Sequence, residues 1–165
     1  EYGYGVLDLL PWCEKYDIPL VVDWFHNICY KKIHESKIEK AANTATKNND
    51  EQQDNKLVDL SFGPHSVDII ERIVAIWRRR GIKPKCHYSE QAEGMRIGTH
   101  SDYISEIPSD ILRVCAKYDI DIMCECKQKQ ACMIPLLNRH FDKNISQVNN
   151  SEYVYYTIKP QYLKK

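Results

Sequence analysis

Two stretches that lie far apart in the chain have similar sequences. LPWCEKYDIPLVVD, from Leu10 to Asp23, aligns with LRVCAKYDIDIMCE, from Leu112 to Glu125, and both contain a cysteine, a Lys-Tyr-Asp-Ile string and a terminal carboxylate. In each stretch a segment with helical spacing of apolar residues is followed, after a short break, by an apolar segment typical of a strand. The chain therefore contains a repeated helix–strand unit.

A third unit lies between these two, which gives a regular alternation of helices and strands. Its apolar residues recur at helical spacing from Val67 to Arg80, Gly81 ends the segment, and a strand is predicted over Ile82 to Ser89. The other predicted helix–strand pairs are Val6 to Tyr16 with Ile18 to Trp24 and Ser109 to Tyr118 with Ile120 to Cys126, and a further helix spans Gln130 to His140 despite Pro135. Such alternation predicts an α/β fold with a parallel sheet.

Each predicted strand ends in a residue that can bind a metal ion. When the units are aligned on Ile18, Ile82 and Ile120, the position five residues later is Asp23, His87 and Glu125 respectively. In a β/α barrel the functional groups lie at the carboxyl ends of the strands. We therefore expect these side chains to share one site. The alternative is that Asp23 and Glu125 only cap the helices that follow.

Composition gives weaker constraints. Lysine plus arginine and aspartate plus glutamate are both 23, so net charge does not predict nucleic-acid binding. The basic cluster from Arg78 to Lys85 has the alternative reading of a solvated helix end. Seven cysteines without a visible signal peptide predict buried free thiols, and Cys124-x-Cys126 is too tight for a zinc module. The sequence contains no apolar run long enough for a membrane span.

Further candidate groups surround the three strand ends. Asp23 and His26 can reach one metal ion or two adjacent ions, and carboxylate with neutral imidazole suits manganese, zinc or iron, although an isolated histidine is more often structural. Lys85 shares a strand face with His87, so on the inner face of a barrel it must be paired, desolvated or modified. The simpler alternative is a salt bridge from Lys85 to Asp23 or Glu125. His100, in the next loop, could protonate a leaving group, contact phosphate or support a ligand. Candidates for substrate contact are Tyr88, Tyr103, Lys127 and Lys129, although isolated aromatic residues are more often packing residues.

Four ordered motifs carry a family resemblance over about two thirds of the chain. They are VVDWFHN at 21–27, KPKCHYSE at 83–90, THSDYI at 99–104 and DIMCECKQKQACM at 121–133. Together they resemble the C-terminal motifs of UV damage endonucleases. Departures from that pattern are Gln130, where a glutamate is usual, and a polar insertion at 41–56.

The resemblance implies a fold and an activity. It implies a TIM-type (β/α)8 barrel of which residues 1–143 form only the last three to four βα units. The composition of 144–165 separately predicts a polar, tyrosine-rich tail that either docks as an irregular arm or stays loose. The resemblance also implies a divalent metal cluster, described as manganese with zinc or magnesium as alternatives, that cuts DNA on the 5′ side of UV photoproducts. The expected partners are UV-damaged double-stranded DNA and the missing N-terminal half of the barrel, in an intracellular protein without membrane contact.

The resemblance also implies residue roles. The matched metal ligands are Asp23, His26, His87 and Glu125. Lys85 matches a lysine that can be carboxylated beside the metals, and His100 matches a histidine of the loop on the substrate side. Because the other ligands of the family come from earlier strands, the isolated chain is expected to have little or no activity.

Three alternatives stay open at this point. Two are other metal-dependent barrels: an endonuclease IV-like abasic-site nuclease and a xylose-isomerase-like sugar enzyme. The Lys-x-His strand and the Glu-x-Lys-x-Lys run favour the UV damage endonuclease over both. The third is an inactive half-barrel that serves only as a binding piece.

Overall fold

The computed structural model describes residues 3–42, 66–148 and 151–163. Its helices are α1 (Val6–Tyr16), α2 (Trp24–Ala42), α3 (Ser66–Arg79), α4 (Ser109–Tyr118) and α5 (Gln130–His140). Its strands are β1 (Val22–Asp23), β2 (Lys85–Tyr88), β3 (Asp121–Cys124), β4 (Phe141–Val148) and β5 (Ser151–Ile158), and a 3-10 turn follows at Pro160–Tyr162. The three predicted helix–strand units and the helix over Gln130–His140 are confirmed. No helix in this part of the chain is both long enough and apolar enough to cross a membrane.

The three units share one type of turn between helix and strand. Ile18, Ile82 and Ile120 each donate a backbone N–H to the carbonyl five residues earlier, at N···O distances of 2.9, 3.2 and 2.9 Å. The residue before each isoleucine has a left-handed backbone, with φ of 53°, 67° and 54°. This is a common way to satisfy the last carbonyls of a helix. The isoleucines used for the sequence alignment therefore mark the same structural position.

Strands β1, β2 and β3 form a parallel sheet in that order. Asp23 pairs with His87, and His87 pairs with Met123. The strands are shorter than predicted, and β1, which has a ladder partner on only one side within the described sheet, is the shortest. In addition, Pro19 and Pro84 have no backbone N–H to donate to a neighbouring strand.

The helices cover one face of this sheet. That face includes Val22 and Cys86, which are 3% and 2% exposed, and Trp77 of α3 donates its Nε1 hydrogen to the Leu20 carbonyl at 2.9 Å. Because side chains alternate across a strand, the opposite face carries the other set. Its members in the described sheet are Asp23, Lys85, His87, Asp121 and Met123. Met123 is 48% exposed, so no described element covers this second face at β3.

The C-terminal segment forms an antiparallel hairpin of β4 and β5. The sequence did not decide between an irregular arm and a loose tail for 144–165, and a paired hairpin corrects both. Its base joins the core through Phe141 and Ile158, whereas the outer part leaves Tyr153 55% exposed. Of the predicted insertion at 41–56, residues 41 and 42 end α2 and the others lie outside the described residues.

The expectation that all seven cysteines are free thiols is wrong for two of them. Cys126 and Cys132 form a disulfide across a sequence separation of 6 residues. Helix α5 begins at Gln130, so its first turn brings Cys132 back towards the end of β3. The other five cysteines form no disulfide, and Cys86 among them is buried as predicted.

Candidate metal centre

The junction of β1 and α2 positions the first donor group. Asp23 precedes α2, and its Oδ1 accepts the backbone N–H of His26 at 2.9 Å, which is the usual contact of a helix N-cap. Its second oxygen, Oδ2, lies 3.5 Å from Nδ1 of His26 and 3.9 Å from Nδ1 of His87. Asp23 therefore caps α2 with one carboxylate oxygen and faces the histidines of the cluster with the other.

His87 and Glu125 bring β2 and the end of β3 together. Nδ1 of His87 lies 2.8 Å from Oε1 of Glu125. One ligand atom from each of Asp23, His87 and Glu125 lies within 4.8 Å of the other two, which is compatible with a shared metal ion. The sheet pairs His87 with Met123, so Glu125 stands two residues beyond the position that the sequence alignment gave it. An offset of two keeps the side chain on the same face, and the predicted cluster still forms.

His26 and His100 form a second pair beside this first set. Their Nε2 atoms lie 2.9 Å apart, and Nδ1 of His100 lies 4.0 Å from Oε2 of Glu125. Phe25 packs edge-on against the His100 ring at a centroid distance of 5.6 Å. Two ring nitrogens that bind one ion at about 2.0–2.1 Å are roughly 3 Å apart when they are neighbouring ligands. The observed spacing fits such a pair, and it equally fits a hydrogen bond between one protonated and one bare ring nitrogen.

The chemistry of the cluster favours a divalent cation. It contains two carboxylates and three imidazoles, the donors that manganese, zinc and iron accept. The side chains of Asp23, His87 and His100 are 22%, 27% and 26% exposed, so the site is partly screened from solvent yet still accessible. An imidazole binds a metal ion through a ring nitrogen that carries no proton.

The remaining predicted site residues differ in their contacts. Lys85 is exposed on the same sheet face as His87, and no described residue forms an ion pair with it. Lys127 lies with its Nζ 3.8 Å from Oδ1 of Asp102, Tyr103 is 53% exposed, and Lys129 is exposed. In sequence these groups flank His87, His100 and Glu125, and none of them is one of the donor groups described above.

Tyr88 lies apart from all of them. It alternates with His87 along β2, so it projects to the helix-covered face, and it is only 7% exposed. Burial raises the pKa of its hydroxyl far above the ordinary value. The structure therefore does not bring Tyr88 to the surface where the predicted stacking on bases would occur.

The loop after β2 contains functional candidates that the sequence reading missed. Gln91 and His100 form an isolated antiparallel bridge, and the Ala92 N–H donates to the Thr99 carbonyl at 2.8 Å. His100 is thereby held at the neck of a compact loop. Polar residues directly after a strand end, here Glu90 and Gln91, were the available sequence signal, but nothing in the sequence showed which atoms they contact.

The fold and the donor set define the class of protein: an α/β protein with a candidate divalent-metal centre at the carboxyl ends of its parallel strands. The sequence profile of the UV-endonuclease UvdE family matches residues 1–156. The chain belongs to this family.

Comparison with individual proteins gives the extent of the likeness. A protein of Acanthamoeba polyphaga mimivirus described as a candidate UV-damage endonuclease is 31% identical over 154 residues, which are 91% of this chain and 38% of that protein. The UV-damage endonuclease of Neurospora crassa is 30% identical over 138 residues, 83% of this chain and 17% of its own length. The crystal structure of SacUVDE aligns with a TM-score of 0.45 and 20% identity, over 80% of this chain and 34% of that chain. The chain thus spans well under half the length of the relatives that it matches.

Proposed function

We propose that this chain is the C-terminal part of a metal-dependent DNA-repair endonuclease that cuts the backbone on the 5′ side of UV photoproducts. Family membership supports the proposal, and the names of the relatives point to the same activity. The observation that carries it is the cluster of Asp23, His87 and Glu125, with ligand atoms within 4.8 Å of one another at the rim of the sheet. A DNA substrate also makes an intracellular site of action the natural expectation.

The cluster supplies two adjacent donor sets. One is the triad of Asp23, His87 and Glu125, and the other is the imidazole pair of His26 and His100. Manganese is our first choice of metal, with zinc and magnesium as alternatives. When bound, such ions polarise the phosphate and activate water for attack on phosphorus.

The chain's own residues would orient this chemistry. The His26 N–H holds Oδ1 of Asp23, which leaves Oδ2 directed at the histidines. Glu125 accepts from His87 through one oxygen and faces His100 through the other, so it connects the two donor sets. These contacts among the candidate ligands hold their side chains close together before substrate arrives.

We further propose that the exposed sheet face is the inner wall of a TIM-type barrel whose other strands lie in the N-terminal part of the protein. The face carries charged and polar groups, including Lys85 and Asp121, on a sheet whose other face is packed with helices. Active sites of such barrels lie at the carboxyl ends of the strands, where this cluster lies. Because the outer edges of β1 and β3 lack described partners, the isolated chain should not form a competent active site.

The residues around the cluster take secondary roles in this proposal. The exposed amine of Lys85 lies two residues before His87, where carboxylation would add a further anionic oxygen ligand close to the metals. Lys127 and Lys129 follow Glu125 and are suited to DNA phosphates, and Tyr103 offers an exposed ring to a base. Tyr88 receives no role at the DNA, because its ring is buried.

Nicking of supercoiled plasmid tests the proposal. The substrates are UV-irradiated, abasic and undamaged plasmid with Mn2+, and the proteins are this chain and the same chain joined to its N-terminal part. We expect Mn2+-dependent nicking of the irradiated plasmid by the longer protein only, abolished by Glu125→Gln or His87→Ala. Cleavage confined to abasic plasmid would favour the alternative nuclease. Efficient incision by the 165-residue chain alone would disprove the proposal that its active site is incomplete. Inactivity of the longer protein would favour the alternative in which the half-barrel serves only as a binding piece.

A further inference from the structure

His100 lies between two compact lobes of the loop that connects β2 to α4. The first lobe is residues 92–98 and the second lobe is residues 101–106. Two neighbouring polar residues, Glu90 and Gln91, follow β2 after Ser89 and stand at the base of both lobes. Neither residue belongs to the donor sets described above.

The Gln91 side chain organises the first lobe. Its Nε2 lies 3.0, 3.3 and 3.0 Å from the carbonyl oxygens of Ala92, Met95 and Arg96, and its Oε1 accepts the Gly98 N–H at 2.9 Å. The lobe thus presents carbonyl groups to one end of the amide and an N–H to the other. A side chain with both a donor and an acceptor is needed here, and a carboxylate would face three carbonyl oxygens.

The Glu90 side chain organises the second lobe with the opposite polarity. Its Oε1 accepts the Ser105 hydroxyl at 2.8 Å and the Glu106 N–H at 3.0 Å, while its Oε2 accepts the Ser105 N–H at 2.9 Å. Its backbone carbonyl accepts the Ser101 N–H at 2.8 Å. All three side-chain contacts are donors to the carboxylate, so an acceptor-only group is needed here.

We propose that Glu90 and Gln91 are positioning residues that together hold the His100 imidazole against His26 and Glu125. The loop meets the site at His100, and each lobe beside it is fixed by one of the two side chains. The second lobe is also tied to the segment after Glu125, because the Ser101 carbonyl accepts the Lys127 N–H at 3.1 Å. The proposal deepens the proposed function, since a metal role for His100 rests on it, whereas the anchoring itself does not.

Swapping the identities of Glu90 and Gln91 gives the sharpest test. The double variant Glu90→Gln with Gln91→Glu keeps composition and net charge, yet it gives each lobe the wrong hydrogen-bonding group. Hydrogen exchange of the Ser105, Glu106 and Gly98 amides reports the lobes. Histidine ring 15N shifts report His100, with His34 as the internal reference. Mn2+ titration followed by EPR reports metal affinity.

We expect faster exchange at all three amides, a His100 ring shift towards that of a free imidazole, and roughly 10- to 100-fold weaker Mn2+ binding. If the Glu90→Gln, Gln91→Glu double variant does not fold, the single variant Ser105→Ala is used instead. It removes only the hydroxyl contact and is expected to move the same signals by a smaller amount. Unchanged amide exchange would overturn the anchoring. Faster exchange with an unmoved His100 ring would show that both residues support the loop without positioning the histidine. If the wild-type chain binds no Mn2+, the proposed metal function fails. The amide hydrogen exchange and the ring 15N shifts still decide whether Glu90 and Gln91 position His100.

Discussion

His87 and Glu125 are in contact although they are not opposite each other in the sheet. Nδ1 of His87 lies 2.8 Å from Oε1 of Glu125, while the Cα partner of His87 is Met123. The contact is made because Glu125, two residues after Met123 and one residue past the end of β3, stays beside β2, with its N–H donating to the Tyr88 carbonyl at 2.9 Å. The backbone thus fixes Glu125 to β2, and its carboxylate lies between two histidines, with one oxygen 2.8 Å from His87 and the other 4.0 Å from His100.

This central place of Glu125 leads to the first prediction. Glu125→Gln keeps the shape of the side chain and removes its charge, so the triad loses an anionic ligand. We expect Mn2+ affinity of the chain to fall at least tenfold, about 1.4 kcal/mol or more in binding free energy. Mn2+ titration by EPR measures this. Glu93→Gln, the same change at an exposed glutamate of the neighbouring loop, should bind like the wild type. Equal affinities for both variants would contradict the assignment.

The His26 and His100 pair leads to a second prediction. Because their Nε2 atoms are 2.9 Å apart, the two rings should act as one unit in metal binding. Each of His26→Gln and His100→Gln should weaken binding, and the double variant should be little worse than either single variant. Coupled residues typically show interaction energies of about 0.5–3 kcal/mol. A double-mutant cycle of dissociation constants measures this coupling, and strictly additive losses would mean that the rings bind separately.

Comparison with the sequence shows which part of the site can be predicted. Helical and strand periodicity is local, so the three units and the turns before Ile18, Ile82 and Ile120 could be predicted closely. The convergence of Asp23, His87 and Glu125 followed from the rule that parallel strands end at one rim. The two-residue offset of Glu125 could not be predicted, because register depends on contacts between strands. The contacts of Glu90 were equally hidden, since they join residues brought together only by the folded loop.

The disulfide gives a third prediction, which concerns stability. Cys126 and Cys132 close a short loop with a sequence separation of 6, for which chain entropy predicts a stabilisation of about 2 kcal/mol. Reduction, or the double variant Cys126→Ser with Cys132→Ser, should lower the free energy of unfolding by about that amount or less. Urea unfolding with and without reductant measures the change, with Cys13→Ser as a control at a free cysteine. Mass spectrometry that finds seven free thiols in the unreduced chain would contradict the pairing.

His140 gives the last prediction, through the dependence of stability on pH. Its side chain is fully buried, and its Nε2 accepts the Ile107 N–H at 3.2 Å, which requires that this nitrogen carry no proton. Burial lowers the pKa of His140, opposed by the charge of Glu106 and assisted by Arg139 and Lys159. The folded chain therefore binds this proton less readily than the unfolded chain, whose histidine titrates near the ordinary value of about 6.5. The stabilising contribution is complete above that value and declines as the pH falls below it towards the lowered pKa of the folded state.

Urea unfolding between pH 8 and pH 5 should show a loss of stability that is smaller in His140→Gln, which keeps an acceptor but does not titrate. Parallel pH profiles for the two proteins would show that His140 is not the group responsible.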